Sequence, residues 1–153
     1  MNNLTVLLAE DNDQQALLTT KALNRNESVS KVIHFPCGQE LLNFLFGLSD
    51  NNIPGGKYVL LLDIQMPQVS GIEVLKVIKN HNALKSLPVI MFSSITDSQV
   101  MDLCYHYGCN AFIPKPVDLA GFERLSVLDF ISIMQVPAVP ADIITKIASG
   151  GIK

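Results

Sequence analysis

At 153 residues the chain can bury one proper core and has no room for two, and 11 Lys and Arg against 14 Asp and Glu give a formal charge of −3, which excludes the strongly positive field of a nucleic-acid-binding surface. Hydrophobic residues reach 48%, yet no apolar run approaches the ~18 residues that span a bilayer, and the N-terminus lacks the charged-then-apolar layout of a signal peptide, so a cytoplasmic chain with neither nucleic acid nor membrane as partner is expected. Cys37, Cys104 and Cys109 have no Cys-x-x-Cys spacing, and His34, His81 and His106 are scattered, so reduced core thiols are expected and a zinc site is not.

In chain order, the first strand is predicted over Thr5 to Ala9 and stops at Glu10-Asp11, after which Asn12-x-x-Gln15 forms a weak capping box for the first helix. A second strand follows over Val29 to Phe35. Leu41, Phe44, Leu45 and Leu48 then fall at i, i+3, i+4, i+7, the mark of a one-faced helix. Gly47 to Lys57, with its Ser-Asp-Asn-Asn and Pro-Gly-Gly content, is predicted to be an exposed loop. The third strand, Tyr58 to Asp63, is apolar at every position before its final Asp, as expected of a central strand covered on both faces. Ser70-x-x-Glu73 starts the third helix, Val89 to Ser93 is the fourth strand, and Thr96-x-x-Gln99 starts a helix whose apolar positions are Val100, Leu103, Cys104 and Tyr107. Ala111 to Ile113 is the fifth strand, and a last helix is expected from Asp118. Within Val127 to Met134 six of eight residues are apolar, more than one face needs, so a second copy of the chain or the tail is expected to cover it. Residues 1–136 are assigned to one α/β domain, a (βα)₅ doubly wound five-stranded parallel sheet. Residues 137–153, bracketed at the start by Pro137 and Pro140, are assigned to a tail that is extended, disordered or packed on a partner.

In such a sheet the functional groups collect at the C-terminal strand ends. Those ends hold Glu10-Asp11, Asp63 and Ser93, with Lys115 just after the fifth strand. Three carboxylates at one point repel one another unless a cation sits among them, and hard oxygen ligands with room for water suit Mg²⁺. With a lysine and a hydroxyl alongside, Asp63 can act as the nucleophile in phosphoryl transfer while the metal and Lys115 neutralise the equatorial oxygens.

The sequence resembles the receiver domain of two-component response regulators, from about Leu4 to Met134. The matching stretches are Leu7-Leu8-Ala9-Glu10-Asp11, Leu61-Leu62-Asp63-Ile64-Gln65-Met66-Pro67 with Gly71 four residues on, Pro88-Val89-Ile90-Met91-Phe92-Ser93-Ser94 and Phe112-Ile113-Pro114-Lys115-Pro116. The resemblance implies a flavodoxin-like fold with strand order 2-1-3-4-5, Asp63 as phospho-acceptor, and Mg²⁺, for which Mn²⁺ can substitute. Asp11 would be a direct metal ligand, Glu10 one that acts largely through water, and the Gln65 backbone carbonyl would complete the protein's share of the shell. Ser93 and Phe112 match the switch pair, Lys115 the lysine that pairs with the phosphoryl group, and Lys115-Pro116 the family's cis peptide. Ser93 stands for the commoner Thr and Phe112 for the commoner Tyr. Gln65 and Ile95 occupy the two positions that tune dephosphorylation, and Ile95 is expected to hinder water and prolong the phosphorylated state.

The implied activity is a stand-alone regulator phosphorylated by a histidine kinase or a His-phosphotransfer protein. It would then change the surface of the fourth helix, fifth strand and last helix to control protein contacts, with a homodimer through the C-terminal helix region as one outcome. The loop around Pro54-Gly55-Gly56, the stretch His81 to Pro88 and Pro137 are also similar to single-domain regulators that serve phytochrome-type kinases. Such a protein is not an enzyme beyond its own phosphotransfer and dephosphorylation. A flavodoxin-like FMN carrier fits poorly, since Glu10-Asp11-Asn12-Asp13 would repel its phosphate. A haloacid-dehalogenase-type phosphohydrolase lacks its second acid, Gln65 standing in its place. A receiver-fold module that signals without phosphate is disfavoured by the complete acidic, hydroxyl and lysine set.

Overall fold

The computed structural model describes residues 4–47, 56–118, 120–121, 124 and 138–139. Among these residues six strands, β1 (Leu4–Ala9), β2 (Val29–Phe35), β3 (Gly56–Leu62), β4 (Val89–Ser93), β5 (Ala111–Pro114) and β6 (Ala138–Val139), alternate through the first five with four helices. The helices are α1 (Asp13–Asn24), α2 (Gly38–Phe46), α3 (Gly71–Lys79) and α4 (Ser98–His106). β1 to β5 are parallel and lie in the order β2-β1-β3-β4-β5, as the resemblance implies.

The period of two along each strand divides the core into two layers. Leu7, Ala9, Tyr58, Leu60, Leu62, Met91 and Phe112 join Leu41, Val74, Leu75, Ile78 and Cys104 of α2, α3 and α4 on one face. Val6, Leu8, Val59, Leu61, Ile90 and Phe92 join Ala16, Ala22 and Leu23 of α1 on the other. β3 lies at the centre, with Val59, Leu60, Leu61 and Leu62 all fully buried, so truncating any of its leucines to alanine would cost roughly 2–5 kcal/mol.

Two local expectations change. The cap of α4 is Asp97, one residue after Thr96, because its carboxylate accepts from both Gln99 N (2.8 Å) and Val100 N (3.3 Å) and complements the helix dipole. A two-residue strand, β6, is an addition to the predicted five. It pairs antiparallel with Gly56 and Lys57, on the edge of β3 away from β1, where β4 has not yet begun.

Residues 48–55 of the expected loop, with Leu48, Pro54 and Gly55, lie outside the described residues. So do Val127 to Met134, Pro137 and Pro140, and with them the boundary at residue 136 and most of the tail. Of the helix expected from Asp118, the described part shows Asp118 Oδ1 accepting from Gly121 N at 2.8 Å. Among the described residues no helix is long and apolar enough to cross a membrane.

Candidate functional site

β1, β3 and β5 are each followed by a polar residue that is held by one last hydrogen bond to a neighbouring strand. Glu10 N donates to Phe35 O at 3.0 Å, Asp63 N to Ala9 O at 3.1 Å, and Lys115 N to Ser93 O at 2.9 Å. The backbone is therefore still sheet-like where the side chains reach the rim, and all three are buried. Gly71 closes the approach behind Asp63. Its N donates to Ile64 O at 2.9 Å, and a Cβ there would stand 1.9 Å from Asp63 O, so α3 can start this close only on a glycine. The intervening loop contains Gln68 at φ 68, in a three-residue turn closed by Val69 N donating to Pro67 O at 2.8 Å.

At the rim Lys115 Nζ donates to Asp63 Oδ2 at 2.8 Å, pairs with Glu10 Oε1, and donates to Gln15 Oε1 at 2.7 Å. Carboxylate oxygens of Glu10, Asp11 and Asp63 lie within 4.8 Å of one another, Asp11 being the exposed member. Three carboxylates against one ammonium leave a formal charge of −2. Burial pushes the Glu10 carboxyl above its ordinary range, opposed by its hydrogen bond and charge interaction with Lys115 and reinforced by the charge of Asp63. A hard divalent cation fits this donor set, because it would supply the positive charge that one lysine leaves short.

The remaining predicted residues surround this cluster. Ser93 is fully buried, and its Oγ accepts from Ile95 N at 3.3 Å. Ile95 is half-buried and packs against the core layer that also holds Phe112. The Phe112 ring is inward, 7% exposed, and its N donates to Tyr105 Oη of α4 at 3.0 Å. Gln65 is exposed, two residues beyond Asp63. The expected cis Lys115-Pro116 peptide is a correction: no described peptide bond is cis, and Lys115 meets both carboxylates from the trans form, which an X–Pro bond favours by ~0.5–1 kcal/mol.

Two residues at the rim escaped the sequence reading. His34 Nε2 lies 2.7 Å from Glu10 O and, facing a carbonyl, carries the hydrogen. Gln15 is the third acceptor of Lys115. Its only sequence signal was the weak box with Asn12.

The family model for the response regulator receiver domain matches residues 6–124. The fold superimposes on a response regulator receiver domain from Rhodospirillum rubrum with a TM-score of 0.76 and 30% identity, covering 87% of this chain and 96% of that one. It superimposes on the bacteriophytochrome response regulator AtBRR with a TM-score of 0.69 and 33% identity, over 89% and 93% of the two chains. The two-component response regulator ARR15 of Arabidopsis thaliana is 34% identical over 66% of this chain and 51% of its own length. The chain spans about half or less of the length of most of the curated relatives it matches.

Proposed function

Because this chain belongs to the response regulator receiver domain family, we propose that it is a phospho-acceptor switch in two-component signalling, with Asp63 as the acceptor. The observation that supports this reading is the meeting, at one rim, of three carboxylates and one buried ammonium drawn from three different strand ends.

In the proposed reaction an Asp63 carboxylate oxygen forms a bond to phosphorus as the P–N bond of a phosphohistidine breaks, the electron pair leaving on the imidazole nitrogen. The donor is a histidine kinase or a His-phosphotransfer protein. Glu10, Asp11, Asp63 and the Gln65 carbonyl would hold Mg²⁺, or Mn²⁺ in its place, and the bound ion supplies charge neutralisation at the phosphoryl oxygens. Lys115 binds one of those oxygens from the opposite side. Ser93 then turns its hydroxyl onto the phosphoryl group, the already buried Phe112 ring repacks against the space released, and the surface of α4, β5 and the segment after Asp118 changes shape. Gln65 and Ile95 set how readily water reaches the acyl phosphate.

On the likeness to AtBRR, we take a phytochrome-type sensor kinase as the input. The output is contact with protein partners in the cytoplasm, a homodimer through the C-terminal helix region among them, rather than with nucleic acid or membrane. Intact-mass measurement after incubation with acetyl phosphate and Mg²⁺ tests the reading. One phosphoryl group is expected on the parent chain and none on Asp63→Asn, and a label retained by Asp63→Asn would move the acceptor elsewhere.

A further inference from the structure

Gln15 stands at the third position of α1, where a capping-box glutamine reaches back to the N-cap N–H. That N–H, on Asn12, donates to Glu10 Oε2 at 3.2 Å instead. The Gln15 carboxamide is directed to Lys115, 100 residues away in sequence, with Oε1 accepting from Nζ at 2.7 Å. Its backbone is pinned at both ends: N donates to Asn12 Oδ1 at 2.9 Å and O accepts from Thr19 Oγ1 at 2.8 Å, Thr19 being fully buried.

An ammonium has three donors. Those of Lys115 serve Glu10, Asp63 and Gln15, so a phosphoryl oxygen can be served only if one acceptor is released. Two of the three are carboxylates, which meet the ammonium charge to charge, whereas its bond to a carboxamide is charge-assisted on the donor side alone and is the weaker. Gln15 is the neutral one.

We propose that Gln15 is a positioning residue that holds the Lys115 ammonium over the rim in the resting chain and is the acceptor Lys115 leaves when a phosphoryl oxygen arrives. Gln15 thereby sets how readily the site accepts a phosphoryl group. This rests on the phospho-acceptor reading above.

The test is calorimetric titration of the full chain with beryllofluoride in saturating Mg²⁺. Gln15→Leu removes the competing acceptor and is expected to tighten binding by roughly tenfold or more, the worth of one hydrogen bond from a charged donor. Gln15→Glu makes that acceptor a carboxylate and is expected to weaken binding by about tenfold or more. In a Lys115→Ala background the leucine change is expected to have no effect, a result that a role confined to helix packing would not give. Gln15→Met, linear and of similar volume, repeats the test should the leucine variant fail to fold, with thermal unfolding run on each. Binding by both substituted chains equal to the parent's, or the same gain with and without Lys115, overturns the proposal alone. A parent chain that takes up no beryllofluoride overturns the receiver reading and this inference with it.

Discussion

Two lysines sit at opposite ends of the same sheet, and their surroundings differ in kind. Lys79, at the end of α3, donates to Leu87 O at 2.7 Å, Lys85 O at 3.1 Å and Asn110 Oδ1 at 3.3 Å, all neutral oxygens from the segments that lead into β4 and β5. Asn110 Oδ1 also accepts from Val89 N at 2.9 Å, so the group ties two strand starts to one helix end. Burial lowers the Lys79 pKa, as it does for a cation with no carboxylate beside it. Lys115, at the other rim, faces two buried carboxylates with a third nearby. The lower rim is satisfied by its own chain, whereas the upper rim keeps an excess of negative charge. That excess is what a cation would offset, and the same residue type without it is a brace.

Removing Lys115 should break the comparison most severely. Lys115→Ala leaves Glu10 and Asp63 buried with no ammonium, and an expected loss of about 3 kcal/mol in urea unfolding should be partly restored by Mg²⁺. Phosphoryl uptake from acetyl phosphate should fall about 100-fold, the scale of losing one charge-stabilising donor. A stability that ignores Mg²⁺ would mean the rim carries no charge excess. Lys79→Met sharpens the contrast from the other side: a loss of about 1–2 kcal/mol is expected from carbonyls left without a donor. Phosphoryl uptake should be unchanged, and a fall matching that of Lys115→Ala would remove the distinction between brace and site.

The smallest effect concerns Cys109, close to Lys79 at the lower rim. Burial, with the neighbouring Cys104 thiol adding to it, pushes its pKa from 9.0 to about 11. A thiol held protonated by the fold contributes stability below pH 9, and that contribution is lost as pH rises through about 11. Urea midpoints of the parent should therefore decline across this interval more steeply than those of Cys109→Ala. Equal slopes would place the alkaline sensitivity elsewhere.

The upper rim was legible in the sequence because a parallel sheet is buried on both faces. β1 from Val6 and β3 from Tyr58 are unbroken apolar runs, and the first polar residue after each, Glu10 or Asp63, has to be at the end. Strand limits shifted only slightly, β3 running from Gly56 and β5 to Pro114. What stayed hidden depends on distance or on local competition. Asn12-x-x-Gln15 reads as a helix start, and nothing local says that the Gln15 side chain bonds a lysine 100 residues on. Thr96 and Asp97 can both cap α4, and the carboxylate's two bonds decide it. The brace at Lys79 needs two loops and a helix end to converge, and β6 needs an edge of β3 that exists only because β4 starts late. The trans Lys115-Pro116 bond departs from what the family resemblance implies, and no local feature of these residues fixes the isomer.

The most direct measurement is a chemical-shift titration of the chain with beryllofluoride and Mg²⁺ together. The expected result is a saturable response that needs both components. It should be largest at Glu10, Asp11, Asp63, Ser93 and Lys115 and extend into α4 and β5, with Lys79 and Asn110 silent. Shifts that appear without Mg²⁺, or that spare Asp63 and Lys115, would contradict the account.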